Sequence, residues 1–293
     1  MNIIHYTPTN YESGSFGGVA RFDYELRKAF PNLQSVLRQP NISWVNINPK
    51  DVIIITDHSF IKEIPINFKV IAVHHGMAAE HKKRNPSWPG DTYVNQQKDM
   101  GKRPNTWFVG ISKFTERAAK DHHAVIDDIV ILHGVDTKTD IPATKGRSVV
   151  GDWRTESKGS KIIDNIRAKC DTFTFSNLKC GQHNKHTGYQ NHNIYMCISY
   201  HEGNAYAVMD AIACGLPVLS TTAGLFDGDY DKRLGEVIPW QERNNVNLIQ
   251  EKLQKIYDNY DNYDPIGWLQ EVIPFDKWKK KWQEFAAKVG SIK

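Results

Sequence analysis

Cysteine is scarce in this chain of 293 residues: it has four, Cys170, Cys180, Cys197 and Cys214, all in the second half. Four are too few to staple a chain of this size, so no disulfide framework is expected and the thiols are expected to be reduced. Long apolar runs are missing too, and no stretch nears the roughly 20 residues of a membrane span. The opening MNIIHYTPTN has no basic segment followed by an apolar one, so no secretory leader is expected and a cytoplasmic location follows. An excess of one charge is also lacking. The chain sets 37 Lys and Arg against 33 Asp and Glu, a formal +4 that the two halves share almost evenly. Nucleic-acid binders concentrate positive charge in one domain or stripe, so nucleic acid is not expected as a partner. Internal repeats and low-complexity tracts are absent. What is present is material for packed cores: 40% of residues are hydrophobic and 11% aromatic. The length suits two domains of about 150 residues each.

Apolar patterning predicts alternating strands and helices. Asn2–Tyr6 reads as a strand, and Val19, Phe22, Leu26 and Phe30 recur at helical spacing until Pro31. Asp51–Thr56 and Val70–His74 are continuous apolar runs rich in β-branched residues, which suits strands covered on both faces. Trp107–Ile111 reads as a strand leading into a helix capped by Ser112, and Asp128–Leu132 as the last strand of this half. Residues 137–146, polar with Pro and Gly, read as a linker. Beyond it come strand Ser148–Gly151, helix Ser160–Lys169, strands Asp171–Phe175 and Ile194–Ser199, and helix Ala205–Cys214 ended by Gly215 and Pro217. Strand Pro217–Ser220, helix Val246–Tyr257 and a terminal helical stripe of Trp278, Trp282, Phe285 and Val289 complete the pattern. The expected fold is α/β: a Rossmann-like domain at 1–143, a second at 144–272, a cleft between them, and a helix at 273–293 packing back on the first.

Four segments sit just after predicted strands, where open parallel sheets bind ligands. Gly14-Ser15-Phe16-Gly17-Gly18 opens the first helix, and its glycines let backbone N–H groups approach a phosphate or sugar oxygen. His74-His75-Gly76 places an imidazole at a strand end, where it can bond a hydroxyl. Gly151 to Gly159 carries Arg154 and Lys158 toward a helix start, where cations suit a pyrophosphate. Ser199 to Val218 holds Glu202 before a helix and Asp210 inside it, with Gly203, Asn204, Ala205 and Tyr206 at the helix start. One carboxylate can meet sugar hydroxyls and the other a ribose diol.

The stretch 199–218 resembles the E-x7-E region of family 4 of the retaining glycosyltransferases, which have the GT-B fold. Other pieces agree in order: Gly17-Gly18 with the family's glycine loop, His75-Gly76 with its strand-end histidine, Phe108–Thr115 with a strand-to-helix step, and Ile131–Asp136 with the step into the second domain. Pro274, Phe275 and Trp278 resemble the start of its terminal helix. The resemblance implies a compact transferase that moves a sugar from a nucleotide sugar to a hydroxyl acceptor, with retention and without metal. Glu202 would contact the donor sugar, Asp210 the ribose, Lys158 the diphosphate with the Gly17 and Gly18 amides, and His75 the transferred sugar. Two residues depart from the pattern: Asp152 stands where the family has arginine after glycine, and Asp210 where glutamate is commoner. The 176–193 segment is also short, so a trimmed second domain is expected.

Other features carry competing expectations. Asp227, Asp229 and Asp231 form DxD pairs of the kind that bind divalent metal in a different glycosyltransferase fold, and they read here as an acidic surface loop. Cys180, His183 and His186, with His192 nearby, have zinc-like spacing without a second chelating pair. Lys277, Lys279, Lys280 and Lys281 around Trp278 and Trp282 fit either a helix packed on a domain or one touching an anionic membrane. Trp88, Tyr93 and Trp107 are candidates to stack on a sugar acceptor. A nucleotide-sugar- or glycan-binding module without turnover is the non-enzymatic alternative.

Overall fold

The computed structural model describes residues 1–8, 17–38, 43–56, 58–123, 125, 127–136, 144–178 and 187–292. The chain forms two compact units, Met1–Gly134 with Asp276–Lys293, and Val135–Phe275.

The first unit is built on a six-stranded sheet. In chain order it contains β1 (Ile3–Thr7), α1 (Gly18–Ala29), β2 (Gln34–Leu37), β3 (Val52–Ile55), β4 (Lys69–His74), α2 (Ala78–Arg84), α3 (Asp91–Met100), β5 (Thr106–Gly110), α4 (Lys113–His123) and β6 (Ile129–Val130). The strands run in the order β2-β1-β3-β4-β5-β6, all parallel. Val52, Ile53 and Ile54 of β3 are wholly buried, as a central strand covered on both faces requires. Ser112 accepts the N–H of Thr115 at the start of α4, so the cap expected there is made.

The second unit has a five-stranded parallel sheet in the order β11-β10-β9-β7-β8. Its elements are β7 (Ser148–Gly151), α5 (Ser160–Lys169), β8 (Thr174–Asn177), α6 (Thr187–Gln190), β9 (Ile194–Cys197), α7 (Tyr206–Ala213), β10 (Val218–Thr221), β11 (Gly235–Ile238), α8 (Val246–Asp258) and α9 (Pro265–Val272). Helices α5 and α8 share a core with the sheet: Ile163 and Ile166 of α5 cluster with Ile249, Leu253 and Ile256 of α8 and with Val149, Ile194 and Leu219. Both helices therefore begin at the carboxyl ends of the strands, each following a strand that runs the same way.

The last helix, α10 (Phe275–Ser291), belongs from Asp276 onward with the first unit. Trp278, Trp282, Phe285 and Val289 are buried, as the stripe predicts. Trp282 packs edge-on against Phe22 of α1, and Trp278 lies where a side chain on Gly134 would be. Gln283 donates to the Ala29 carbonyl at 2.6 Å and Lys69 to the Gly290 carbonyl at 2.7 Å. The apolar face of α10 is thus spent on packing, while Lys277, Lys280 and Lys281 stay exposed. Among the described residues no helix is long and apolar enough to cross a membrane. Cys170, Cys197 and Cys214 are buried; Cys180, His183 and His186 lie outside the described residues.

Candidate functional site

Strand order locates the place where ligands gather. In the second unit the chain passes from β7 outward to β8, then returns to build β9, β10 and β11 on the other side. The carboxyl ends of β7 and β9 form the topological switch point, where loops diverge and leave a crevice. Two segments singled out from the sequence leave the sheet there: Gly151–Gly159 after β7 and Ser199–Ala205 after β9.

Lys158 and Glu202 meet across this point at 2.9 Å. Lys158 ends a 3-10 turn, Glu156–Lys158, that Gly159 closes with φ of 99°. A Cβ there would fall 2.7 Å from Ile198 Cγ1, so both the backbone angle and the space require glycine. That sharp corner presents Lys158 to the end of β9, and the Ser157 carbonyl accepts the Tyr200 N–H at 2.9 Å. The hydroxyl of Ser199 donates to the same oxygen of Glu202 at 2.7 Å. Burial works against the Lys158 ammonium, but Glu202 outweighs it and holds the group above the ordinary lysine pKa. The lysine is therefore charged throughout the working pH range.

Asp152 lies in the same cluster, 3.7 Å from Lys158. Burial opposes its charge, and the Arg154 guanidinium and the Lys158 ammonium hold its pKa below the usual carboxylate value. Arg154 folds onto Asp152 with bonds of 2.6 and 3.1 Å and leaves its own side chain 65% exposed. The structure brings Lys158 and Glu202 into contact, while Arg154 faces Asp152.

The start of α7 supplies neutral polar groups. Gly203, Asn204 and Tyr206 are buried, and Ala205 is the N-cap without any side-chain capping bond. The side-chain amide of Asn204, 3% exposed, has neither its oxygen nor its nitrogen bonded to the protein. A buried amide left in that state is costly unless a ligand or water completes it. Asp210 lies one turn inside α7, buried.

The first unit holds Gly17, Gly18 and His75. Gly17 is the N-cap of α1 with φ of 136°, at the switch point between β1 and β3, and nothing stands within 4 Å of where its Cβ would be. Residues 14–16 of that loop lie outside the described residues. His75 follows β4 and packs edge-on to Phe22 at 4.8 Å and beside His133 at 5.1 Å. Burial, with smaller contributions from His5 and His74, pushes its pKa down to about 3. His133 is lowered for the same first reason. His75 is thus a neutral imidazole whose buried Nε2 has no partner in the protein. Around it, His5 bonds Asp23 and His74 bonds Asp127, each at 2.7 Å.

Of the other candidates, Asp229 is exposed, and Asp231 is engaged by Arg233, whose Nη2 lies 2.8 Å away. Among the described residues no three His, Cys, Asp or Glu side chains converge as a metal site. Trp88 stacks near-parallel to Tyr93 at 5.9 Å, and Tyr93 is exposed.

Sequence reasoning missed Arg243. It lies between β11 and α8, 2% exposed, with its guanidinium carbon 3.6 Å from the centre of the Tyr200 ring. It belongs to no motif, and its neighbours Glu242 and Asn244 suggest an exposed loop. Only the fold brings the start of α8 beside the start of α5.

No protein-family model matches the sequence, and no curated protein matches it by sequence. Solved structures do match by shape. A sucrose-phosphate synthase from Thermosynechococcus elongatus superposes with a TM-score of 0.77 at 11% identity, covering 99% of each chain. HepE of Anabaena, solved in complex with UDP, gives 0.71 at 12% identity over 98% of this chain and 100% of its own. The pneumococcal O-GlcNAc transferase GtfA, in complex with UDP and GlcNAc, gives 0.61 at 15% identity, with 85% of this chain and 58% of its own covered. At such identities the likeness speaks of fold alone: the chain has the GT-B fold, with two parallel-sheet α/β units.

Proposed function

We propose that this protein is a glycosyltransferase that moves a sugar from a nucleotide-sugar donor to a hydroxyl acceptor, with retention at the anomeric carbon and without a metal. The observation that carries this reading is the Lys158–Glu202 pair at the switch point of the second unit, beside a buried Asn204 amide with no protein partner. Departure of a nucleoside diphosphate builds negative charge on the leaving oxygen. A preorganised ammonium lowers the barrier most where water is scarce. Lys158 is that ammonium, and Glu202 keeps it charged and aimed until the donor arrives. When the diphosphate takes Lys158, Glu202 is released toward the hydroxyls of the sugar. Asp210 is assigned to the ribose diol, and the N–H groups of Gly203, Asn204, Ala205 and Tyr206 at the start of α7 to the diphosphate. Gly17, Gly18 and Arg154 are the further proposed donor contacts.

The acceptor oxygen attacks the face from which the diphosphate leaves, and the departing phosphate takes the acceptor proton. No side-chain nucleophile is needed. His75, neutral at every working pH, suits a hydrogen bond to a sugar hydroxyl better than proton transfer. Structures of HepE hold UDP and UDP-glucose, and GtfA holds UDP and GlcNAc, which makes uridine donors the first to try.

The test is release of nucleoside diphosphate from a panel of nucleotide sugars when a glycan or other hydroxyl acceptor is added. Release that stops in K158A and E202A supports transfer, and activity that survives EDTA supports a metal-free step. Collapse in EDTA would return Asp227 and Asp229 to consideration. A second reading, a binding module without turnover, is favoured by Asp152, a carboxylate 3.7 Å from Lys158. It predicts donor binding with no release on adding acceptor.

A further inference from the structure

The ion pairs at the switch point leave one guanidinium without a salt-bridge partner. Glu202 takes Lys158, Asp152 takes Arg154, and Glu156 takes Lys161 at 3.0 Å. The carboxylate of Glu242 accepts from the Asn245 side chain. Arg243 makes no salt bridge with a carboxylate among the described residues, and the Glu156 charge acts on it only from further off. Its Nη2 reaches the Glu156 carbonyl at 3.4 Å, a long bond, and the face of its guanidinium lies on Tyr200. Nε and Nη1 are buried and bond nothing among the described residues. Burial of this kind lowers the pKa of Arg243, yet a guanidinium stays protonated and needs an anion.

Position says which anion. Nη2 of Arg243 is 3.5 Å from where a Cβ on Gly159 would stand, so the guanidinium sits behind the corner that presents Lys158 and opens α5. A ten-residue helix beginning there, without a side-chain cap, adds partial positive charge to the same spot. Two cations and a helix start suit an anion carrying more than one charge and several oxygens, which a phosphoryl group is and a single carboxylate is not.

We propose that Arg243 is an anion-binding residue of the donor site: it supplies, to the diphosphate of the nucleotide sugar, the guanidinium that Arg154 gives up to Asp152. This rests on the donor-site reading above and names the residue that sets its preference for diphosphate over nucleoside. Arg243 comes from the β11–α8 connection, so the charge reaches the site from a different element than the sequence pattern suggests.

The experiment measures affinities of the full chain and of R243M and R243K for UDP, uridine and inorganic pyrophosphate, together with melting temperature without ligand. R243M is expected to lose at least tenfold in affinity for UDP and pyrophosphate and less than twofold for uridine, with no loss of unliganded stability, because it removes a buried charge that no salt bridge compensates. R243K is expected to recover part of the loss. Equal weakening for uridine and UDP together with a lower melting temperature, or UDP binding within twofold of wild type, would overturn the proposal.

Should R243M not fold, the Nε–H resonance of Arg243 in arginine-labelled protein, identified by its loss in R243K, gives the answer in the wild type. It should move with UDP and pyrophosphate and stay still with uridine; no movement with UDP bound overturns the proposal. Pyrophosphate binding through Arg243 without any sugar transfer would keep this inference and refute turnover. Transfer with Arg243 unmoved would do the reverse. A wild-type chain that binds none of these anions refutes both.

Discussion

The two units end their strands in opposite chemistry. In the first, imidazoles gather on and after the strands: His5 within β1 and His74 at the end of β4 are tied to buried Asp23 and Asp127, and burial keeps His75 and His133 neutral. In the second, the strand ends carry full charges, with Lys158, Arg154 and Lys161 matched against Glu202, Asp152 and Glu156 and Arg243 left over. Both sheets are parallel and both carry these groups on or just after their strands, so strand direction does not explain the difference. Side chains do. Neutral, buried imidazoles such as those of His75 and His133 can hydrogen-bond hydroxyls without attracting ions, whereas a half-buried ionic cluster with a guanidinium outside any salt bridge suits an anion. One architecture used twice has been given one neutral and one ionic end.

The strongest way to break this comparison is to uncover the neutral end. Trp282 is fully buried and lies against Phe22, which covers His75. W282A is expected to cost about 3–5 kcal/mol of stability, the usual toll of truncating a core tryptophan. Denaturant unfolding would show it, and affinity of the still-folded protein for UDP should be little changed. A matching collapse of UDP binding would mean that the two ends are not separable.

Next in size is the ionic end. K158A is expected to lower kcat/KM for transfer at least tenfold, ~1.4 kcal/mol of transition-state stabilisation. E202Q should split the parameters. With its carboxylate neutralised, Lys158 is freed for the diphosphate, so binding of UDP holds or tightens while kcat falls. Steady-state kinetics with a UDP titration distinguishes the two variants, and equal loss of binding in both would count against the assigned division of labour.

The histidines give a smaller, pH-dependent effect. His75 has a folded pKa of about 3, below its unfolded value, so the unfolded chain binds more protons between those limits. Stability therefore rises with pH from acid up to about pH 6.5 and is level above it. Each such imidazole contributes a slope of at most about 1.4 kcal/mol per pH unit. Denaturation curves at pH 5 and pH 7 should show a smaller difference in H75N than in wild type. D152N is the gentlest change. It removes the carboxylate near Lys158 and releases Arg154, so UDP affinity is expected to rise a few-fold; a fall would assign Asp152 a positive role in binding.

Much of this was legible in the chain. Strand Ser148–Gly151 and helix Ser160–Lys169 are found to the residue, because an apolar run, a glycine corner and a helical apolar spacing coincide there. Among the edge strands β6 was legible at Asp128–Leu132, but the other three were not or were shifted. β2 and β11 carry polar residues such as Gln34, Ser35 and Glu236, and β8 sits at Thr174–Asn177 where the pattern placed Asp171–Phe175. An edge strand buries only part of its surface, so its apolar signal is weak. The polar helices α2 and α3 were hidden for a similar reason. Helix α9 was passed over although Asp264 and Pro265, an N-cap followed by proline, mark its start; the Asp264 side chain accepts the Gly267 N–H. In the site, Lys158 and Glu202 announced themselves through glycines and strand ends. The engagement of Arg154 by Asp152 and the burial of Arg243 depend on which loops the sheet order brings together, and no local spacing encodes that.

The central claim is that the switch point of the second unit is a diphosphate site. Its most direct test is a calorimetric titration of the intact protein with UDP, GDP and ADP, set against the parent nucleosides and repeated on K158A. At least one nucleoside diphosphate should bind more tightly than its nucleoside, and K158A should lose most of that difference. A folded wild-type chain that binds none of the three, or a K158A that binds the diphosphate as well as wild type, would contradict the account.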